Sequence, residues 1–111
     1  MLKLYYDPIY TEGLDPTVRF PRERYQLLAK RLKENSSIHI QCPPLATREQ
    51  IVTAHDEPYV DLFLAGKLEP ATIRRIGLRP WTPAIVERTL RLVGGSLAAL
   101  GHALSNSSIA G

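Results

Sequence analysis

The chain of 111 residues lacks features on which several classes of protein depend. A single cysteine, Cys42, excludes an internal disulfide and any zinc or iron–sulfur site built from several cysteines. Residues 1–7 contain no apolar run that would fit a signal peptide. Small secreted domains usually rely on disulfides, so these absences together predict a cytoplasmic protein.

The chain also has little charge of either sign at one end and little net charge as a whole. Residues 92–111 carry no formal charge, but their serine, glycine, asparagine and histidine side chains are too polar for a membrane span. The net charge of +3 is mild and the basic residues are dispersed, which argues against nucleic-acid binding. We interpret four arginines as solvated surface residues: Arg22, Arg24, Arg74 and Arg75.

The first half of the chain predicts two short strands with a helix between them. Residues 2–6 alternate and are aromatic, which predicts a strand, and residues 9–20 form a loop. Pro21 fits the first position of a helix. The apolar stripe of that helix is Tyr25, Leu28, Ala29 and Leu32. Residues 38–40 are the second strand.

The second half predicts four helices and the beginning of a third strand. A capping box at 47–50 opens a short helix, Asp56 begins the next, and residues 70–76 end at Gly77. The longest helix spans 82–104. Its apolar residues alternate at steps of four and three: Val86, Leu90, Val93, Leu97, Leu100 and Leu104. This seam predicts a core face, with a coiled-coil partner as the alternative. Residues 107–111 begin a strand.

The order of these elements predicts an α/β domain with parallel strand pairing. A parallel sheet is normally covered on both faces and needs more strands than the two or three found here. The sequence therefore reads as the opening third of a larger α/β enzyme, and residues 1–111 as one partial domain.

Few residues are candidates for chemistry. His39, His55 and His102 have no metal-ligand spacing, so we predict no metal site. His55 is interpreted as a buried structural histidine beside a helix cap at Asp56. Residues 94–98 nearly match the nucleophile motif G-x-S-x-G, but Ala98 replaces the last glycine and the segment is helical. Gly94 and Gly95 are better explained by close packing against a neighbouring backbone.

Several segments in register resemble the histone deacetylase superfamily, in particular its bacterial and class IV-like branch with the acetoin-utilisation and acetylpolyamine amidohydrolase relatives. The similarity runs through residues 5–10, 20–25, 46–50 and 52–60, where His55, Asp56 and Tyr59 match the family pattern H-D-x-x-Y-V. It continues through 76–78, 80–83 and 93–96. Each motif alone is weak, but together and in order they are fairly specific.

The resemblance implies a zinc-dependent amidohydrolase that removes acyl groups from lysine side chains or small amines. It also implies the N-terminal portion of an arginase–deacetylase three-layer α/β/α fold with a central parallel sheet, incomplete in this chain. In such enzymes zinc activates a water for attack on the amide. The family's paired catalytic histidines and its zinc ligands follow the region matched here. We therefore expect no catalytic residue, no zinc and no activity in this chain alone.

By the same resemblance, a set of residues would border the substrate passage: Gly13, Pro16, Phe20, Pro21 and Glu23. Others would be structural: His55, Asp56, Tyr59, Gly94 and Gly95. Many members place a substrate-clamping aspartate before the long helix, but residues 78–82 contain no acid. A histone-tail substrate is therefore not expected.

Two hypotheses remain open. In the first, the chain is a truncated N-terminal portion of a deacetylase-like hydrolase, and its partner is the missing remainder of the domain. In the second, it is a free-standing helical interaction module that associates with itself through residues 86–104. A basic nucleic-acid binder is a weaker third possibility.

Overall fold

A computed structural model describes all residues 1–111, and helix accounts for 51% of them. The helices are α1 (Ile9–Glu12), α2 (Glu23–Leu32), α3 (Arg48–Val52), α4 (Glu57–Leu64), α5 (Pro70–Ile76) and α6 (Ala84–Asn106). Strands β1 (Leu2–Tyr5) and β2 (Ile38–Gln41) pair in parallel, with Leu2 opposite Ile38 and Tyr5 opposite Gln41. The two predicted strands and the five predicted helices from α2 to α6 are confirmed, whereas α1 was not predicted.

The predicted three-layer α/β/α fold with a central parallel sheet is wrong. Only β1 and β2 form a sheet. Residues 107–111, expected as a third strand, contribute a single parallel bridge between Lys3 and Ala110. The remaining long apolar segments repeat at helical spacing and form helices, so no residues are left from which to build a central sheet. The protein is mainly helical, with a two-stranded parallel sheet at one side of α6.

The segment predicted as a loop at 9–20 contains a helical turn, α1. The backbone N–H of Ile9 donates to Asp7 Oδ1 at 2.8 Å, so the aspartate satisfies one of the free donors at the start of this turn. Pro8, which has no N–H, precedes it without cost. The next helix, α2, begins at Glu23, two residues later than predicted from Pro21.

The predicted helix boundaries in the middle of the chain are confirmed where capping chemistry defines them. Thr47 accepts from the N–H of Gln50 at 3.1 Å, and the Gln50 side chain accepts from the N–H of Thr47 at 2.9 Å. Gly77 ends α5 with φ of 83°, a left-handed conformation that glycine adopts without steric cost. Asp56 occupies the N-cap position of α4 as expected, but its side chain makes no capping hydrogen bond.

Helix α6 buries a face different from the one predicted. Its buried residues are Ile85, Arg88, Gly94, Gly95 and Ala99. Of the six residues of the predicted seam, Val86 and Leu90 are half-buried. The other four turn outward, and the exposed fraction rises from 37% at Val93 and 40% at Leu97 to 55% at Leu100 and 74% at Leu104. Small residues let α6 approach its neighbours closely, and this close approach decides which face is buried. None of the six helices combines the length and the hydropathy that a membrane span requires.

The prediction that Gly94 and Gly95 allow close packing is confirmed. A Cβ atom on Gly94 would collide with the carbonyl group of Pro44, and one on Gly95 would lie 3.0 Å from Pro43 Cβ. A backbone hydrogen bond of 3.0 Å from the Ala46 N–H to the Leu90 carbonyl fixes the same approach. The segment that follows β2 is thereby packed directly on the backbone of α6.

The stripe predicted for α2 is only partly buried. Ala29 is 5% exposed, as expected, whereas Leu28 is 58% exposed. The neighbouring Leu27 is also exposed, at 62%. The helix therefore contacts the rest of the protein along a narrower strip than its apolar residues suggest.

Candidate functional site

The residues predicted to border a substrate passage lie in one segment between α1 and the start of α2. Gly13 is buried and Phe20 is half-buried, whereas three others are exposed: Pro16, Pro21 and Glu23. Leu14, next to Gly13, is among the most completely buried side chains of the protein, at 1% exposure. We call residues 13–20 the rim segment. Its two ends are fixed and its middle is open to solvent.

Arg22 fixes the rim segment from one side, although its sequence context predicted a solvated residue. Its Nη1 donates to the carbonyl of Thr11 at 2.8 Å and to that of Leu14 at 3.1 Å. The Thr11 hydroxyl donates back to the Arg22 carbonyl at 2.7 Å. The Nε of Arg22 lies 3.1 Å from Glu23 Oε1, an ion-pair distance without hydrogen-bond alignment. These contacts close residues 11–22 into a compact loop.

Arg88 fixes the rim segment from the other side. It is 6% exposed, and its Nε donates to the Tyr10 carbonyl at 2.9 Å. Burial lowers the pKa of its guanidinium group. A Cβ atom on Gly13 would lie 2.9 Å from Arg88 Cβ, so only glycine leaves room for this approach. The buried arginine thus joins α6 to the beginning of the rim segment.

Four aromatic rings form a cluster beside Arg88. Tyr10 contacts Tyr6 and Tyr25 edge-to-face, with ring centroids 5.7 and 5.8 Å apart, and Phe20 stacks on Tyr25 at 6.2 Å. The guanidinium carbon of Arg88 lies 5.7 Å from both the Phe20 and the Tyr25 ring centroids. Burial, followed by the charge of Asp7, raises the pKa of Tyr10 to about 12. The cluster is an aromatic wall with a buried cation behind it.

The metal donors of this chain do not fit a zinc ion. No three histidine, cysteine, aspartate or glutamate side chains lie close enough together to hold one. Cys42 is exposed, and its Sγ lies 3.4 Å from Asp7 Oδ2. The Nδ1 of His102 lies 3.3 Å from Nδ2 of Asn106 on the same helix. His39 and His55 are exposed on β2 and before α4.

His55 is not the buried structural residue that its position predicted. It is exposed, as is Asp56, and Tyr59 is 37% exposed. Arg48 instead links α3 to α4. Its Nε donates to Asp61 Oδ1 at 2.7 Å, and its Nη2 donates to Glu57 Oε1 at 2.9 Å. The hydrogen bond from Arg48 lowers the pKa of Asp61.

The segment 78–82, which carries no acid, is held by its aromatic residue. Trp81 packs edge-to-face on Phe63 of α4, with ring centroids 6.2 Å apart. This contact positions the residues that lead into α6. The segment offers no carboxylate that could bind a substrate backbone.

Sequence reasoning missed Arg22 and Arg88, the two residues that organise the rim segment. A signal for Arg88 exists in the sequence, because Ile85, Arg88 and Gly95 share a helical face at spacings of three and seven. An arginine between an isoleucine and a glycine on one face indicates a buried cation with backbone partners. Nothing comparable distinguishes Arg22 from the exposed Arg24 two residues later.

Comparison with known proteins gives one relative without a described activity. No protein-family model matches the chain. It is 34% identical over 113 aligned positions to an uncharacterized protein of the cyanobacterium Picosynechococcus sp. (strain ATCC 27264 / PCC 7002 / PR-6). The match covers 96% of this chain but 37% of the relative, so the chain spans about a third of the length of the curated relative it matches.

Proposed function

We propose that this chain is the non-catalytic N-terminal part of a cytoplasmic, deacetylase-like amidohydrolase, and that its rim segment forms one wall of the substrate passage. The reaction is the hydrolysis of an acylated amine. Water adds to the amide carbonyl and the C–N bond breaks, which releases a carboxylic acid and the free amine. The zinc ion and the proton-transferring groups belong to residues outside this chain.

The observation that carries the proposal is the fixation of the rim segment by Arg22 and Arg88. Three hydrogen bonds from the two guanidinium groups end on backbone carbonyls of residues 10, 11 and 14. Surface loops are generally more mobile than the elements that they connect, so this fixation distinguishes residues 10–14. A passage wall needs such fixation, because a substrate-positioning element must keep its shape before the substrate arrives.

The order of the motifs and the length of the relative support the same proposal. The deacetylase-like motifs run in register from residue 5 to residue 96. The cyanobacterial relative, at nearly three times the length of the matched region, has room for the catalytic residues that this chain lacks.

The substrate class that fits the chain is a small acylated amine or an acyl-lysine whose backbone is not clamped by an acid. Phe20 of the rim segment and Tyr25 of α2, which stack on each other, offer apolar contact area. In segment 78–82, Arg79 and Trp81 stand where a clamping carboxylate would be needed. An acylated polyamine makes no demand for backbone recognition, so we favour it over a histone tail.

The experiment uses the full-length cyanobacterial relative and a chimera in which this chain replaces the matched third. Both proteins, loaded with zinc, should release acetate from acetylated polyamines or acetyl-lysine, and a chelator should abolish the release. Arg22→Ala in the chimera should raise KM more than it lowers kcat, because the rim segment positions substrate and takes no part in the chemistry. The matched control is Arg75→Ala, an exposed arginine on α5.

Two outcomes would contradict the proposal. The first is a full-length relative that takes up no zinc and hydrolyses no acylated amine. The second is a chimera in which Arg22→Ala and Arg75→Ala change KM equally, because that result would separate the fixed rim segment from substrate binding.

A further inference from the structure

The outer surface of α2 carries four side chains that the rest of the chain leaves largely uncovered. They are Arg24, Leu27, Leu28 and Arg31, and the two leucines are 62% and 58% exposed. Each leucine lies three or four positions from each arginine, so the four side chains are neighbours on the helix surface. Ala29, the only buried residue of α2, faces the rest of the protein instead. We call these four exposed residues the α2 face.

The segment that contains this face is strongly basic. Residues 19–33 hold six of the 14 cations of the chain and one of its 11 acids, so the remainder of the chain has eight cations and ten acids. Of the six cations, only Arg22 forms an ion pair, with Glu23. The α2 face therefore presents positive charge that the protein itself does not neutralise.

Arg24 is held in place before any partner arrives. Its guanidinium carbon lies 4.9 Å from the Phe20 ring centroid and 5.0 Å from the Tyr25 ring centroid. Its Nη2 also donates to the Tyr25 hydroxyl at 3.2 Å. The remaining N–H donors are available to a carboxylate, which can accept two of them side by side. A side chain that is already ordered loses less conformational entropy on binding.

The arrangement of charge and apolar surface selects the kind of partner. Two leucines lie between two arginines that are seven positions, or about 10 Å, apart along the helix. Protein interfaces have this construction, an apolar centre with a polar rim. The phosphates of a nucleic acid would leave the leucines without a contact, and lipid insertion needs a wider apolar face than two leucines provide. An amphipathic helix with two carboxylates seven positions apart around apolar residues matches both features.

We propose that the α2 face binds an acidic amphipathic helix of a partner protein, with apolar side chains on Leu27 and Leu28 and a carboxylate on each of Arg24 and Arg31. This inference does not depend on the proposed function. It assigns a role to two leucines that lie on the surface and to an arginine that is ordered without a carboxylate partner.

The test measures binding of two synthetic helical peptides to the purified chain by fluorescence anisotropy. The acidic peptide carries two glutamates seven positions apart around two leucines, and the matched peptide carries lysines in place of those glutamates. The wild type should bind the lysine peptide at least about tenfold more weakly than the acidic peptide, because like charges repel across an interface. The affinity for the acidic peptide should fall as salt is added.

Two pairs of variants locate the binding surface. Arg24→Gln should weaken binding of the acidic peptide about tenfold, whereas Arg75→Gln, on the exposed surface of α5, should leave it unchanged. Leu28→Ala should also weaken binding, whereas Leu104→Ala, which truncates a leucine that is 74% exposed on α6, should not. Circular dichroism of each variant checks that the fold is intact.

A charge reversal tests the pairing directly. The double variant Arg24→Glu/Arg31→Glu should lose the acidic peptide and gain the lysine peptide, because the signs on both sides of the interface are exchanged. The matched control is Arg74→Glu/Arg75→Glu, which makes the same change in net charge on α5. It should keep the preference of the wild type for the acidic peptide.

Three results would overturn the proposal. One is a wild-type chain that binds neither peptide, or binds both equally. Another is an α5 double variant that exchanges its preference as the α2 double variant does, since attraction to the net charge would then explain the binding. The third is tighter binding of single-stranded RNA, or of vesicles of anionic lipid, than of the acidic peptide through the same arginines.

Discussion

The two halves of α6 are built for opposite environments. From Ile85 to Gly95 the helix buries isoleucine, arginine and glycine against the rim segment and the residues after β2. From Leu97 to Leu104 it exposes three leucines. Large apolar side chains alone therefore do not mark the buried face of this helix, since Ile85 is buried and Leu104 is exposed. The residues that allow close approach or satisfy backbone carbonyls mark it instead.

The difference teaches that a leucine seam at helical spacing identifies an amphipathic helix but does not say which of its faces the rest of the chain covers. The interior of α6 is decided by backbone geometry at Gly94 and Gly95 and by the hydrogen bond from Arg88. The exposed face of α6 consists of the residues that these contacts leave uncovered, among them Leu97, Leu100 and Leu104.

The largest effect should come from adding a methyl group to each half of the helix. Gly94→Ala places a Cβ atom against the Pro44 carbonyl, and backbone cannot move aside as a flexible side chain does. We expect a loss of about 3 kcal/mol or more in the free energy of unfolding. Gly101→Ala, where no atom lies within 4 Å, should instead gain up to about 1 kcal/mol from helix propensity.

Urea denaturation of both variants measures the two changes. A Gly94→Ala protein as stable as the wild type would contradict the proposed difference between the two halves of α6, because it would show that the N-terminal half is not tightly packed.

A smaller effect should follow from removing the buried cation. Arg88→Met keeps the apolar length of the side chain but leaves the Tyr10 carbonyl without its partner at 2.9 Å. An unsatisfied buried polar group costs about 1–3 kcal/mol. Arg75→Met, on the exposed surface of α5, should change stability by less than about 0.5 kcal/mol. Equal effects of the two substitutions in thermal or urea unfolding would contradict a structural role for Arg88.

Amide hydrogen exchange should separate the contribution of Arg22 to the rim segment from that of Arg88 to α6. Arg22→Ala removes the donors to the Thr11 and Leu14 carbonyls, so amides of the rim segment should exchange faster in the variant than in the wild type. Amides of α6 between residues 85 and 95 should keep their protection, since Arg88 remains in place. Unchanged exchange in residues 13–20 would show that Arg22 does not hold that segment.

The smallest effect concerns pH. Burial raises the pKa of Tyr10 to about 12, whereas the unfolded chain releases this proton near the ordinary value of 10.0. The tyrosine is neutral in both states below pH 10, so it adds no pH dependence there. From about pH 10 to 12 only the unfolded state ionises, and the stability should fall. Tyr10→Phe should lessen that fall and Tyr59→Phe, which alters an exposed ring, should not.

The sequence predicted the fold where local chemistry is decisive and failed where long-range contacts decide. The capping box at Thr47 and Gln50, the end of α5 at Gly77 and the packing role of Gly94 follow from residue type. The number of strands does not, because 107–111 has the composition of a strand but makes a single bridge. The buried face of α6 also could not be predicted, since periodicity shows that a stripe exists and not which neighbours surround it.

The structure shows how the segment assigned to a substrate passage is built, and its assignment to a passage stays a prediction. Gly13 is buried and Phe20 is half-buried, whereas Glu23 is exposed at the start of α2.

Arg22 could not be recognised from the sequence, because nothing in its context separates an arginine bound to carbonyls from an arginine in water. Arg88 carried one signal, its place on the same helical face as Ile85 and Gly95. His55 shows the converse error, since a residue beside a helix cap was predicted to be buried and is exposed.

The central claim is that this chain supplies the support of a hydrolytic site and none of its chemistry. The most direct test loads the purified 111-residue chain with zinc, dialyses it, and measures bound metal and turnover of acetyl-lysine and acetylpolyamines on the same sample. A catalytic zinc needs three protein ligands, and this chain brings no three donors together. We predict no tightly held zinc and no turnover. One zinc bound per chain, or turnover that a chelator abolishes, would contradict the account.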